Sequence, residues 1–116
     1  MISKELLSEV LGETVISVSE GVYSENKICY TLSKLGTNVF RDDNIHELAH
    51  KCKEWAWFNH PISGSNYLLP STKEHDYDTN NRWVCHVNSQ IRLRANTEPE
   101  AIFKACEWIL NDTSTT

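Results

Sequence analysis

His46-Glu47-Leu48-Ala49-His50 is the one stretch of this chain whose residue types and spacing spell a catalytic pattern, H-E-x-x-H. Two histidines at i and i+4 stand one above the other on a helix, so both imidazoles can reach one tetrahedral zinc ion. A glutamate beside the first can then act as general base on the metal-bound water. On that reading His46 and His50 are zinc ligands, Glu47 is the catalytic base, and the protein is a zinc-dependent metallopeptidase. A third ligand is harder to place. The extended pattern with a downstream glycine and histidine is absent, because Lys53 and Ala56 occupy those positions. Glu74 and His75 are the remaining candidates.

The element that must carry these residues is a helix from Asn44 to Asn59. Ile45, Leu48, Ala49, Cys52, Trp55 and Ala56 recur at i, i+3, i+4 and i+7, the pattern of a core-facing stripe. At about 100° per residue, His46, His50 and Trp57 share a second stripe roughly 120° around from it. The histidines therefore point away from the core. Glu47 also has a structural role open to it: Asn44 as N-cap places it at N3 of a capping box, and it stands i, i+4 to Lys51. The same residues thus read as an ordinary capped, amphipathic helix, and this is the reading preferred here.

At 116 residues the chain fits one domain, residues 1–116, with a frayed tail over about 112–116. Its 40% hydrophobic and 23% charged residues describe a folded globular protein. A net charge of −5 argues against direct nucleic-acid binding, which needs a basic footprint, and suits docking onto a basic protein surface. No run approaches the roughly 18 apolar residues of a membrane span, and MISKELLSEVLG is amphipathic rather than a signal peptide. A cytoplasmic protein of a host bacterial cell, without membrane contact, is expected. The four cysteines, Cys29, Cys52, Cys85 and Cys106, form no C-x-x-C and read as small buried hydrophobes in a reducing cytosol.

In order, a short helix over Ser3–Leu11 stops at Gly12, and Thr14–Glu20 and Lys27–Ser33 are β-rich runs. Leu35-Gly36-Thr37-Asn38 turns the chain, with Val39 and Phe40 leading into the central helix. Asn66–Pro70 reads as a short strand, and Ser71–Asn81 as a polar, exposed connection. Trp83–Val87 and Ile91–Ala95 form a hairpin in which Ile91, Leu93 and Ala95 face inward and Arg92 and Arg94 outward. Thr97-x-x-Glu100 caps a closing helix to about Asn111 that buries Ala101, Ile102, Ala105, Cys106, Ile109 and Trp108. The expectation is an α+β fold in the order α-β-β-α-β-β-β-α, with helices packed on one antiparallel sheet of four or five strands.

The runs ELAHKCKEWA (Glu47 to Ala56) and ANTEPEAIFKACEWIL (Ala95 to Leu110) resemble small prophage-encoded accessory proteins of the phage ABA-sandwich type. There a strand ending in Ala-x-Thr-x-Pro-x-Ala-Ile opens a final helix. The likeness spans about residues 45 to 110 and implies fold and phage origin, with no catalytic residues to carry over. HELAH also resembles short metallopeptidases that regulate integrated elements, a likeness that stops at those five residues.

The leading expectation is a non-enzymatic binding protein of phage or mobile-element origin, an anti-CRISPR-like inhibitor of a host defence complex acting by protein–protein contact. Its contact residues are expected among Trp57, Phe58, His60 and Tyr67, with the segment Glu74, His75, Asp76, Tyr77 and Asp78. No cofactor is expected on this reading, zinc on the metallopeptidase reading, and a homodimer is among the expected assemblies. A third class is a nucleotide-effector sponge in which Arg82, Arg92 and Arg94 pair with phosphates.

Overall fold

A computed structural model of the chain describes residues 2–20, 26–59, 69–73, 83–88 and 90–114, with 20, 59 and 112–114 described by backbone alone. The order is α1 (Lys4–Leu11), β1 (Thr14–Glu20), β2 (Lys27–Lys34), β3 (Thr37–Asn44), α2 (Ile45–Asn59), β4 (Ser71–Lys73), β5 (Trp83–His86), β6 (Arg92–Ala95) and α3 (Glu98–Ser114). The fold is α+β. In place of the expected single sheet of four or five strands, the described residues form two three-stranded antiparallel meanders, β1-β2-β3 and β4-β5-β6.

Two local features account for the difference. Leu35 and Gly36 both hold positive φ, 53° and 78°, and close a two-residue hairpin that pairs Lys34 with Thr37. Such turns are announced by Asn-Gly or Asp-Gly, and a leucine in the first position hides the signal. β3, TNVFRDDN, is exposed along most of its length, so it lacks the alternation that betrays a half-buried strand. It then runs straight into α2, the Ile45 N–H donating to the Asn26 carbonyl at 2.7 Å. In the second sheet, β4 falls on Ser71–Lys73, residues expected in a polar connection. Of the expected strand at 66–70 only Leu69 (buried, φ 51°) and Pro70 are among the described residues.

The other elements form for the expected reasons. Ser3 caps α1, its hydroxyl accepting from the Leu6 N–H at 3.1 Å, and Gly12 ends the helix in the left-handed conformation with φ 67°. In β2, Ile28, Tyr30 and Leu32 are buried while Cys29 and Thr31 are only half so. In β6, Arg92 and Arg94 face out and Ala95 faces in. Thr97 caps α3, accepting from the Glu100 N–H at 3.4 Å, and the helix runs to Ser114, beyond the end expected near Asn111. Its buried face adds Phe103, whereas Trp108 is half-buried.

One core joins all three helices and both sheets. α2 and α3 pair at its centre, and α3 also packs on β5 and β6 while α1 packs on β1 and α2. The N-terminus is fastened to α3 by the Ser3 N–H donating to Glu107 Oε1 at 2.8 Å. No described helix is long and apolar enough to cross a membrane.

Three buried groups titrate far above their usual range. Burial pushes the Cys85 thiol up to about 12. The Cys106 thiol is raised first by its hydrogen bond to Cys52 and then by burial. The Tyr30 phenol is raised by burial and by donating to the Asp43 carboxylate. Each stays neutral in the fold at a pH where the unfolded chain would ionise it. Their contribution is therefore complete below the ordinary thiol range and is lost as pH climbs through it. Chemical denaturation should show stability falling by about 2 kcal/mol per thiol between about pH 8 and pH 10.5. A flat profile would mean that these groups are not buried.

Candidate functional site

α2 is positioned by its buried stripe, and that stripe decides where HELAH points. Leu48, Ala49, Cys52, Trp55 and Ala56 are all under 5% exposed. His46, Glu47 and His50 stand on the opposite, exposed side. Asn44 caps the helix as expected, its side-chain oxygen accepting from the His46 N–H at 2.9 Å and the Glu47 N–H at 3.3 Å. No Glu47–Lys51 pair forms. Instead His50 Nε2 lies 2.8 Å from Glu54 Oε1, one turn on and largely exposed. The second histidine of the motif therefore already has a carboxylate partner on its own helix. Among the described residues no group of three or more His, Cys, Asp or Glu side chains is placed to hold a metal ion. Glu74 and His75 lie outside the described residues.

The cysteines offer little reactivity. Cys52, Cys85 and Cys106 are fully buried and unpaired, and Cys29 is half-buried on the outer face of β2. The Cys106 thiol donates to the Cys52 carbonyl at 3.5 Å, and the Cys85 thiol to the Leu69 carbonyl at 3.7 Å. Thiols held neutral and covered in this way are inert. His86 lies on the opposite face of β5 from Cys85, its Nε2 3.5 Å from the Thr72 hydroxyl, so the two do not converge on one site.

The C-terminal end of α2 presents a different surface. Trp55 is buried, Trp57 is 37% exposed, and Phe58 is 72% exposed. Gly12 stops α1 so that Val10 and Leu11 end opposite this turn. Together with Trp55, Phe58, Lys51 and Glu54 they line a shallow groove of about 370 Å³. Its lining mixes four apolar side chains with one cation and one carboxylate. Trp57 and Phe58 are thus placed at the surface as expected. His60, Tyr67, Glu74, Asp76, Tyr77 and Asp78, expected beside them, lie outside the described residues.

Of the three arginines considered for phosphate, Arg92 and Arg94 share the exposed face of β6, and Arg82 lies outside the described residues. Lys104 comes from α3 to the same strand, its ammonium donating to the Arg94 carbonyl at 2.9 Å.

Three exposed apolar residues escaped the sequence reading: Leu35 at 99%, Phe40 at 81% and Ile16 at 43%. All belong to the first sheet or its hairpin tip. Phe40 borders an open hollow of about 540 Å³ on the sheet face, together with Ser19, Cys29 and Thr31. The available signal was the two-residue spacing between Lys34 and Thr37, which makes Phe40 a strand residue rather than a lead-in to the helix.

Comparison with known proteins brings no family to this arrangement: no family model matches the chain, and no curated protein or solved structure matches it significantly.

Protein purified without a histidine tag should contain far less than one zinc per chain by elemental analysis. The His46→Ala/His50→Ala double variant should melt within about 0.5 kcal/mol of wild type, as exposed substitutions do. One zinc per chain, lost in the double variant, would instead make HELAH a metal centre. Native alkylation should label Cys29 first and spare Cys52, Cys85 and Cys106 until the chain unfolds. Rapid labelling of Cys106 in the native protein would contradict the buried placement.

Proposed function

We propose that this protein works by contact: it is a binding protein of phage or mobile-element origin that docks on a host defence complex and inhibits it. The observation that carries the contact reading is Phe58. An aromatic ring 72% exposed at a helix end, lining one groove with half-covered Val10 and Leu11 and with Lys51 and Glu54, is costly to leave in water. It is the kind of anchor around which interfaces concentrate their binding energy.

The net charge of −5 supports a basic partner surface, including one that otherwise holds nucleic acid. The resemblance of Ala95–Leu110 to small prophage accessory proteins supports the phage origin. Such a protein needs no cofactor and no contact with nucleic acid or membrane.

Plating efficiency of a phage on bacteria carrying a defined multi-subunit defence system tests the reading. Wild-type protein should lift restriction. Phe58→Lys should lose at least about tenfold of that effect, because a central aromatic anchor contributes about 2 kcal/mol or more. Its far-ultraviolet circular dichroism and melting should stay as in wild type. If Phe58→Lys protects the phage fully, or the wild type never does, the proposal fails.

A further inference from the structure

We infer that the free edge of β3 joins two copies of this chain into one six-stranded antiparallel sheet. β3 ends its sheet, so alternate residues along it direct their backbone groups away from β2. Which residues these are follows from the turn. In a two-residue hairpin the flanking pair, here Lys34 and Thr37, exchanges both hydrogen bonds. The same parity recurs at the far end, where the Ile45 N–H reaches the Asn26 carbonyl. Thr37, Val39, Arg41 and Asp43 therefore bond to β2, and Asn38, Phe40 and Asp42 present their N–H and C=O groups outward. Among the described residues no strand or turn pairs with those groups.

Edges of this kind are normally blunted by proline, a bulge or charged side chains. β3, TNVFRDDN, has no proline and no bulge, its register with β2 being continuous over eight pairs, and its three charges are engaged within one copy: Arg41 by Glu13, Asp42 by Lys27 and Asp43 by the Tyr30 hydroxyl. β1, at the other edge of the sheet, carries a bulge at Ile16. This edge is also where Phe40 and the hairpin-tip Leu35 stand exposed.

A second copy is the occupant because β3 is complementary to itself in one register. With a twofold axis at Phe40, the outward-bonding residues of both copies meet one another. Phe40 then faces Phe40, and Asn38 of each copy faces Asp42 of the other, amide against carboxylate. On the opposite face Val39 meets Arg41 and Thr37 meets Asp43. Moving the axis to Asp42 would set two carboxylates directly opposite, which is destabilising. Moving it to Asn38 would run Phe40 against the turn at Gly36 and shorten the overlap. In the favoured register Leu35 of one copy comes opposite Ile45 of the other, the half-buried first residue of α2. Leu35, 99% exposed in a left-handed turn, gains an apolar neighbour. Asp42 also lies 4.0 Å from the Lys27 ammonium, which tempers repulsion between two copies of charge −5.

Sedimentation of the full chain over a concentration series tests this. The wild type should dimerise reversibly. Asn38→Lys places an ammonium opposite each Asp42 and should tighten the dimer about tenfold, and Asn38→Asp should loosen it by a similar factor. The double variant Asn38→Lys/Asp42→Lys carries still less negative charge, yet it sets like charges opposite and should loosen the dimer. Phe40→Pro removes only an outward N–H and should give a monomer. If it fails to fold, the Asn38 series decides. A protein monomeric at every concentration, or a dimer indifferent to the Asn38 series, would overturn the inference. Phe58→Lys should leave the dimer unchanged, so this result is separable from the proposed function.

Discussion

The seam between α2 and α3 is the contact on which the rest of the molecule depends. It is built largely from small side chains, with Ala49, Cys52 and Ala56 buried on α2 and Ala101, Ala105 and Cys106 on α3. Small residues let two helices approach closely. The hydrogen bond from the Cys106 thiol to the Cys52 carbonyl marks how closely these two do. Leu48, Trp55, Phe103 and Ile109 fill the space around it at about 1.5–3 kcal/mol for each large side chain removed from water. Among the described residues, neither three-stranded sheet has a second sheet to bury its inner face. Each depends on these helices for a core, so the seam holds two otherwise marginal meanders in one domain.

Fixing α2 in this way sets the direction of the most chemical-looking part of the sequence. A helix cannot bury one stripe and also turn the stripe roughly 120° away into the same core. Once Leu48, Ala49, Cys52, Trp55 and Ala56 face inward, His46, Glu47 and His50 must face outward. There Asn44 and Glu54 supply ordinary structural partners for the motif. The constraint that exposes the histidines also carries Trp57 and Phe58 to the surface at the helix end. The polar motif and the exposed aromatic end are thus two consequences of one packing decision.

Legibility in the sequence followed side-chain contrast. α1, α2 and α3 were readable because start or stop signals and apolar stripes coincide: Gly12 with Leu6 and Leu7, Asn44 with Leu48 and Cys52, Thr97 with Ala101 and Ile102. β1 was readable from its β-rich composition, and β2 because Ile28, Tyr30 and Leu32 alternate with the smaller Cys29, Thr31 and Ser33. β3 was not, because an edge strand with one face open and the other shallow carries almost no periodic signal. Its hairpin is closed by Leu35 where Asn or Asp would be the usual cue. Missing β3 merged two sheets into one and hid Phe40 as a helix lead-in. β4 was too short, at three residues, to stand out from the polar run around it. The site divided in the same way: the exposure of Trp57 and Phe58 follows from helical phase, whereas Leu35 and Phe40 needed the strand pairing.

Native-state hydrogen exchange tests the central claim most directly. If the α2–α3 seam holds the domain together, the amides of Leu48–Ala56 and Ala101–Ile109 should be the slowest in the chain. They should exchange together, only on global unfolding, while β3 and β4 open earlier. Exchange of α2 ahead of α3, with both sheets still protected, would contradict this account and free the HELAH helix to take up another orientation.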